Sequence, residues 1–300
     1  MVARLSICLN TMNGDSLYSD SVFDDMFNTI HIDEKWFYMT KGNQKYYILP
    51  SELRPYRSCK SKRFIQKVMF FAAIARPRFN SSGECTFDGK LGNFPFVRRV
   101  PAKRNSRKKR SGTLELKPIM PITKEAYRKM LIERLLPAIV QKWPSDDRKP
   151  IYIQQDNARP HIQADEFCWF QAVQASNRDI RLVCQPPNSP DSNVLDLGFF
   201  RAIQALKDQT SPRNCQELVK NVKDAYNDFC PKKGNKVFLS LQLLMIEIMK
   251  VKGSNRYEQR HVGKTALERQ RILPLVFSPS PELIQECFLY LEALQFVGTE

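Results

Sequence analysis

Eight consecutive apolar residues, Val68-Met-Phe-Phe-Ala-Ala-Ile-Ala75, follow Lys67 and are stopped by Arg76-Pro77; they constrain this chain more than any other feature. A run of that length, bounded by a proline, fits a strand covered on both faces. It is far shorter than the roughly 18 residues of a membrane span, and no longer apolar run occurs in the chain. A sheet buried on both faces needs helices on each side, so the run predicts an α/β fold and excludes a membrane-spanning one.

Alternation of apolar and polar residues begins at Ile30-His31-Ile32-Asp33 and runs into Trp36-Phe37-Tyr38-Met39, which predicts a strand. Lys41-Gly42-Asn43-Gln44 supplies turn chemistry and Lys45 to Leu49 a returning partner, so a hairpin is expected ahead of the strand at 67–75. Further on, the pattern predicts a helix from Thr123 to about Lys142 with Pro137 kinking its end, a strand at Ile151–Ile153 and a helix at Ala164–Ala175. A strand at Ile180–Cys184 and a helix at Leu195–Lys207 follow. An amphipathic helix at 212–229, an almost wholly apolar one at 236–250, and segments near 265–270 and 282–294 close the chain. Residues 1–29 show no periodicity and carry Asp15, Asp20, Asp24 and Asp25, so an irregular lead-in is expected. The chain divides accordingly into the lead-in 1–29, an α/β domain 30–210 and a helical region 211–300.

Charge narrows the partners. Lys and Arg number 47 against 31 Asp and Glu, a formal net charge of +16. Half of that excess sits within the thirteen residues 98–110, as the eight cations Arg98, Arg99, Lys103, Arg104, Arg107, Lys108, Lys109 and Arg110, with no acid among them. The surrounding stretch 78–118 is rich in Pro, Gly and Ser and is too long for an ordinary connection, so the basic run is read as an insertion outside the core. Lys60, Lys62 and Arg63 form a smaller cluster. Such density suits phosphate contacts or a nuclear-import signal, and cations on phosphates position nucleic acid without reading its bases. The eight cysteines include no Cys-x-x-Cys pair and the N-terminus lacks a signal-peptide core, which predicts reduced thiols inside a cell. Three histidines, His31, His161 and His261, offer no zinc spacing, so any metal has to be held by oxygen.

Three segments place an Asp where a strand runs out or a helix begins: His31-Ile-Asp33-Glu34, Gln154-Gln-Asp156-Asn157 and Val194-Leu-Asp196-Leu197. Acids at neighbouring strand ends can converge, and three carboxylates together repel unless cations neutralise them. Such a cluster suits Mg²⁺ or a similar hard ion, and a pair of ions can activate an attacking oxygen and stabilise a leaving one in phosphoryl displacement. Each Asp also has a plainer reading, as a solvated strand residue, an Asx-turn acid or a first-turn acid.

The segments Ile30-His-Ile-Asp-Glu-Lys-Trp-Phe-Tyr-Met39, Gln154-Gln-Asp-Asn-Ala-Arg-Pro-His161 and Pro186-Pro-Asn-Ser-Pro-Asp-Ser-Asn-Val-Leu-Asp-Leu-Gly-Phe-Phe200 resemble the three acidic motifs of mariner-like transposases, most nearly the plant branch. The likeness runs from about Phe23 to the C-terminus and includes Cys59–Ile65. It implies an RNase H-like mixed sheet with flanking helices, here with a basic insertion and a helical C-terminal extension. It further implies that Asp33, Asp156 and Asp196 bind two Mg²⁺ or Mn²⁺ ions and cut and rejoin DNA in the nucleus; a homodimer is left open. Ser189-Pro190-Asp191 lies five residues before the third acid in that family's pattern, which points to Asp196 and leaves Asp191 to cap the helix that follows. Asn157, Arg159 and His161 become candidate contacts to the scissile phosphate, His161 equally a structural hydrogen-bonder at a helix entry; Trp36, Phe37, Phe199 and Phe200 are expected in the core. Ser192 stands where the family usually has Leu, and only 32 residues precede Asp33, none with the pattern of the family's helix-turn-helix units. The expectation is therefore a catalytic domain with a truncated front: a metal-dependent DNA strand transferase or nuclease, a non-catalytic DNA-binding relic, or a ribonuclease on the same fold.

Overall fold

A computed structural model of the chain describes residues 1–13, 21–40, 48–53, 65–105 and 110–297. The chain opens with helix α1 (Val2–Asn10) and two short paired strands, β1 (Met12–Asn13) and β2 (Val22–Phe23). The lead-in is thus not irregular throughout. Leu5, Cys8 and Leu9 of α1 recur at helical spacing and are buried, but the helix has no side-chain cap and no acid in its first turn, so nothing local announces it.

Next come β3 (Thr29–Tyr38) and β4 (Lys67–Ala75), antiparallel from Ile30 opposite Ala75 to Tyr38 opposite Lys67. The strand partner of β3 on this side is thus β4; most of the hairpin expected over 41–49 lies outside the described residues. The apolar run is buried on both faces as its composition demands. Phe70, Ala72 and Ile74 enter one core layer, and Phe71, Ala73 and Ala75 enter the other.

A small ladder, β5 (Arg78–Phe79) with β6 (Cys85–Phe87), leads to β7 (Lys90–Pro95), which pairs antiparallel with β4 as the edge of the central sheet. This corrects the reading of 78–118 as an insertion wholly outside the core. Gly92 and Pro95 make β7 look like a loop in the sequence, yet Leu91 is 1% exposed. Gly89 permits the strand to start so close to β4: its φ is +72°, and a Cβ there would stand 2.1 Å from the Ala75 carbonyl oxygen. Arg98 and Arg99 of the basic run lie on a two-stranded ribbon, β8 (Val97–Pro101) and β9 (Leu114–Pro118), paired with Arg98 opposite Lys117.

Helix α2 (Lys124–Met130) is capped by Thr123, whose hydroxyl accepts from the Ala126 amide at 3.2 Å. It runs through a π turn (Leu131–Leu135) into α3 (Leu136–Lys142). The π turn ends just before Pro137, whose ring and missing amide are incompatible with an undisturbed helix at that point. Then follow β10 (Ile151–Gln155), α4 (Phe167–Ala175) and β11 (Ile180–Cys184), with β10 parallel to both β3 and β11. The central sheet has the order β11-β10-β3-β4-β7, the RNase H-like arrangement.

A 3-10 turn (Pro190–Ser192) and a second π turn (Leu195–Phe199) open α5 (Phe200–Lys207), and α6 (Cys215–Asn227), α7 (Pro231–Lys250), α8 (Lys264–Arg269) and α9 (Pro281–Val297) complete the chain. Tyr127, Leu131, Leu135 and Ile139 cover one face of the sheet; α1, α5, α6 and α7 cover the other. Arg76 is fully buried where these parts meet, donating to the Asp25 and Leu275 carbonyls and to Asn235 on α7. No helix among the described residues is long and apolar enough to cross a membrane.

Candidate active site

Asp33 sits at the middle of β3, opposite Ala72. Asp156 follows directly on the parallel neighbour β10, and Asp196 lies in the π turn that opens α5. The sheet order makes β3 and β10 adjacent, so the first two acids lie on neighbouring strands. The third is delivered by Asn193, 1% exposed, whose side-chain amide donates to the Ile32 carbonyl at 3.0 Å while its oxygen accepts from the Leu195 amide at 3.0 Å. One buried side chain thereby pins the turn bearing Asp196 to the strand bearing Asp33. The sequence gives no signal for Asn193 beyond its place inside the third acidic segment.

The electrostatics follow from the crowding. Burial, then the charges of Asp196, Glu34 and Asp156, push the Asp33 carboxyl up to about 8. Asp33 is hydrogen-bonded to Asp196, whose own carboxyl is raised by burial and held back by that bond and by Lys35. Asp156 behaves differently. A hydrogen bond from His161 draws it below the ordinary carboxylate range against its burial, and the Ala158 amide adds a further donor at 2.9 Å.

Of the two readings of His161, phosphate contact or structural hydrogen-bonder, the geometry is that of the second. Its ring is 5% exposed and both nitrogens are engaged: Nδ1 lies 2.8 Å from Asp156 Oδ1, and Nε2 lies 3.2 Å from Glu34 Oε2. Burial disfavours its charge, but the bonds to Asp156 and Glu34 outweigh it and raise the imidazole to about 10. Glu34 points to the sheet face opposite Asp33, as strand alternation requires, and stays above its usual value because burial outweighs the His161 bond. Tyr127 stacks on the imidazole with 4.1 Å between ring centroids, and its hydroxyl donates to Gln155 at 3.1 Å.

Asp191 is not a helix cap. It accepts from both terminal nitrogens of Arg4, at 2.7 and 2.6 Å, and from the Tyr257 hydroxyl. Phe37, Phe199 and Phe200 are buried as expected, while Trp36 is half-buried beneath Lys67, whose ammonium lies 4.1 Å from the ring centroid. Arg98 and Arg99 on β8, Lys103, Arg104 and Arg110 in the ribbon turn, and Arg159 after Asp156 are all exposed. Lys60, Lys62, Arg63, Arg107, Lys108 and Lys109 lie outside the described residues.

The three acids offer only carboxylate oxygen, which fits a hard divalent cation and not a thiophilic one. They do not form a closed cage: among the described residues, no three His, Cys, Asp or Glu side chains are gathered as a ready-made metal site. Asp156 is turned toward His161 and Asp33 toward the Glu34 amide, 2.6 Å away.

With strand order and site in hand, the fold can be set beside known ones. No protein-family model matches the sequence, and no curated protein is significantly similar to it. Solved structures do match. The Mos1 mariner paired-end complex with Mg aligns with a TM-score of 0.54 at 17% identity, covering 84% of this chain and 61% of that one. The Mos1 transposase paired-end complex with left transposon end aligns at 0.52 and 16% identity, covering 78% of this chain and 57% of that one. The Mos1 transposase catalytic domain with Raltegravir and Mg aligns at 0.50 and 12% identity, covering 84% of this chain and 95% of that one. The chain therefore spans about three fifths of the longer Mos1 chains and nearly all of the catalytic domain. At such identities the likeness speaks for the fold alone, an RNase H-like one shared with the Mos1 catalytic domain.

Proposed function

We propose that this chain is a transposase-derived enzyme that cleaves and rejoins DNA phosphodiesters in the nucleus, with Asp33, Asp156 and Asp196 as its catalytic acids. The observation that carries the reading is the crowding of these acids at β3, β10 and the turn Asn193 ties to β3, with the Asp33 carboxyl raised to about 8 by burial and by its neighbours. A site that strains to hold negative charge is one that a cation relieves. The same three acids would hold Mg²⁺ or Mn²⁺, which when bound supplies Lewis-acid polarisation of phosphate and of attacking water. His161 keeps the Asp156 carboxylate ionised and aimed, Asn193 fixes the turn of Asp196, and Lys35 contributes a compensating charge beside Asp196.

The exposed cations Arg98, Arg99, Lys103, Arg104, Arg110 and Arg159 supply the phosphate contacts, joined by Lys60, Lys62, Arg63, Arg107, Lys108 and Lys109. Structural neighbours solved with transposon ends and with Mg or Mn support this choice of substrate and ion. Incubation with supercoiled plasmid and Mn²⁺ tests the reading: nicking is expected, with loss of at least a hundredfold in Asp156→Ala. DNA binding without nicking would leave a non-catalytic relic, and faster cleavage of RNA would indicate a ribonuclease.

A further inference from the structure

A second cationic surface adjoins the turn that carries the third acid. Arg260, His261 and Lys264 close a cavity of about 110 Å³ against Leu197, Ser240 and Leu244. Leu197 is the residue after Asp196 in the π turn, so the surface adjoins the proposed catalytic end of the sheet. Arg260 and His261 are exposed and Lys264 is half-buried. None of the three has an ion-pair partner among the described residues. The neighbour of Lys264 is another cation, Lys236; burial, then that like charge, holds the Lys264 ammonium below its ordinary value. Lys236 itself is engaged by Glu268 at 2.5 Å. The cavity is too small for a nucleotide, and Arg260 and His261 beside it are exposed, so the feature is a contact surface. Uncompensated cations kept together cost self-repulsion that a polyanion removes.

We propose that Arg260, His261 and Lys264 form a second phosphate-contact surface, which seats the DNA strand passing Leu197 on its way to or from Asp196. This rests on the DNA-processing reading above. It adds to the ribbon's cations a set of phosphate contacts that lie far from them in sequence.

The test is fluorescence anisotropy of a labelled DNA duplex over a salt series without divalent metal. Each phosphate contact contributes about 0.9 to the log-log slope. An Arg260→Gln/Lys264→Gln variant is expected to lose about 1.8, additively with an Arg98→Gln/Arg99→Gln ribbon variant. A Lys220→Gln/Lys223→Gln variant on α6 controls for bulk charge, and thermal melts by circular dichroism confirm folding of all three. An unchanged slope in the Arg260/Lys264 variant, or an equal loss in the α6 control, overturns the proposal while leaving the ribbon and the DNA reading standing. If the wild-type chain shows no salt-dependent DNA binding, the DNA reading itself falls. If an acidic peptide displaces the duplex from the wild type but not from the Arg260/Lys264 variant, the surface is a protein-docking one and the proposal is wrong.

Discussion

His161 links two carboxylates from neighbouring strands, Asp156 just after β10 and Glu34 on β3, with Tyr127 stacked on its ring. Removing the imidazole leaves Glu34 buried without a counter-charge. Breaking a buried pair by deleting one partner typically costs about 3–5 kcal/mol, more than the pair itself contributes. His161→Ala is therefore expected to lose about that much in urea unfolding, and Glu34→Gln/His161→Ala to recover part of it. The non-additivity between the two sites should be roughly 1–3 kcal/mol. Equal losses in both backgrounds would show that His161 acts by packing on Tyr127 alone. Asn193 does for Asp196 what His161 does for Asp156, through neutral hydrogen bonds to Ile32 and Leu195.

At the scale of elements, Arg4 and Asp191 tie α1 to the turn that precedes Asp196, and Tyr257 brings in the segment after α7. Asp191 lies below its ordinary value: burial opposes the shift, and the Arg4 and Tyr257 hydrogen bonds overcome it. A carboxyl depressed in the folded state contributes stability that is fully present above its unfolded value, near 3.8, and is lost as pH falls toward its folded value. Asp191→Asn should thus cost about 1–3 kcal/mol at pH 7, and the gap between variant and wild type should close on acidification below pH ~4. A pH-independent gap would mean that shape, not charge, holds α1.

Elements with a strong period were legible from the sequence. The run at 67–75 is a two-faced strand because no polar side chain interrupts it, and Thr123 caps its helix by local chemistry. Helix α1 was not legible, because its order comes from packing Leu5, Cys8 and Leu9 into a core built two hundred residues later. β7 was hidden because Gly92 and Pro95 carry a loop's composition, and only pairing with β4 makes a strand of them. The placement of Asp156 just past a strand and of Asp196 at a helix entry could be read directly, whereas Asp33 lies inside β3 and not where that strand runs out. Their holders, Asn193 and His161, act through partners distant in sequence, so no spacing rule could assign them.

At the scale of the whole molecule, a net charge of +16 surrounds a cluster of acids that raises Asp33 to about 8. The two facts belong together: a basic surface attracts phosphate, and an acidic centre excludes it until a cation is present. Any ion that binds only the folded chain stabilises it by mass action, about 2.7 kcal/mol at a hundredfold excess over the dissociation constant. For a chain of this size that corresponds to a rise in Tm of about 5 °C. Mn²⁺ or Mg²⁺ is expected to raise the Tm of the wild type and to do so less, or not at all, in Asp196→Asn. Asp33→Asn should behave in a third way. It removes the buried acid that its neighbours push up, so the metal-free variant should melt higher than metal-free wild type while losing its response to the ion. Differential scanning fluorimetry with and without chelator separates the cases. An Asp33→Asn variant that melts lower without metal would show that the acid is held by structural partners and not set apart for a cation.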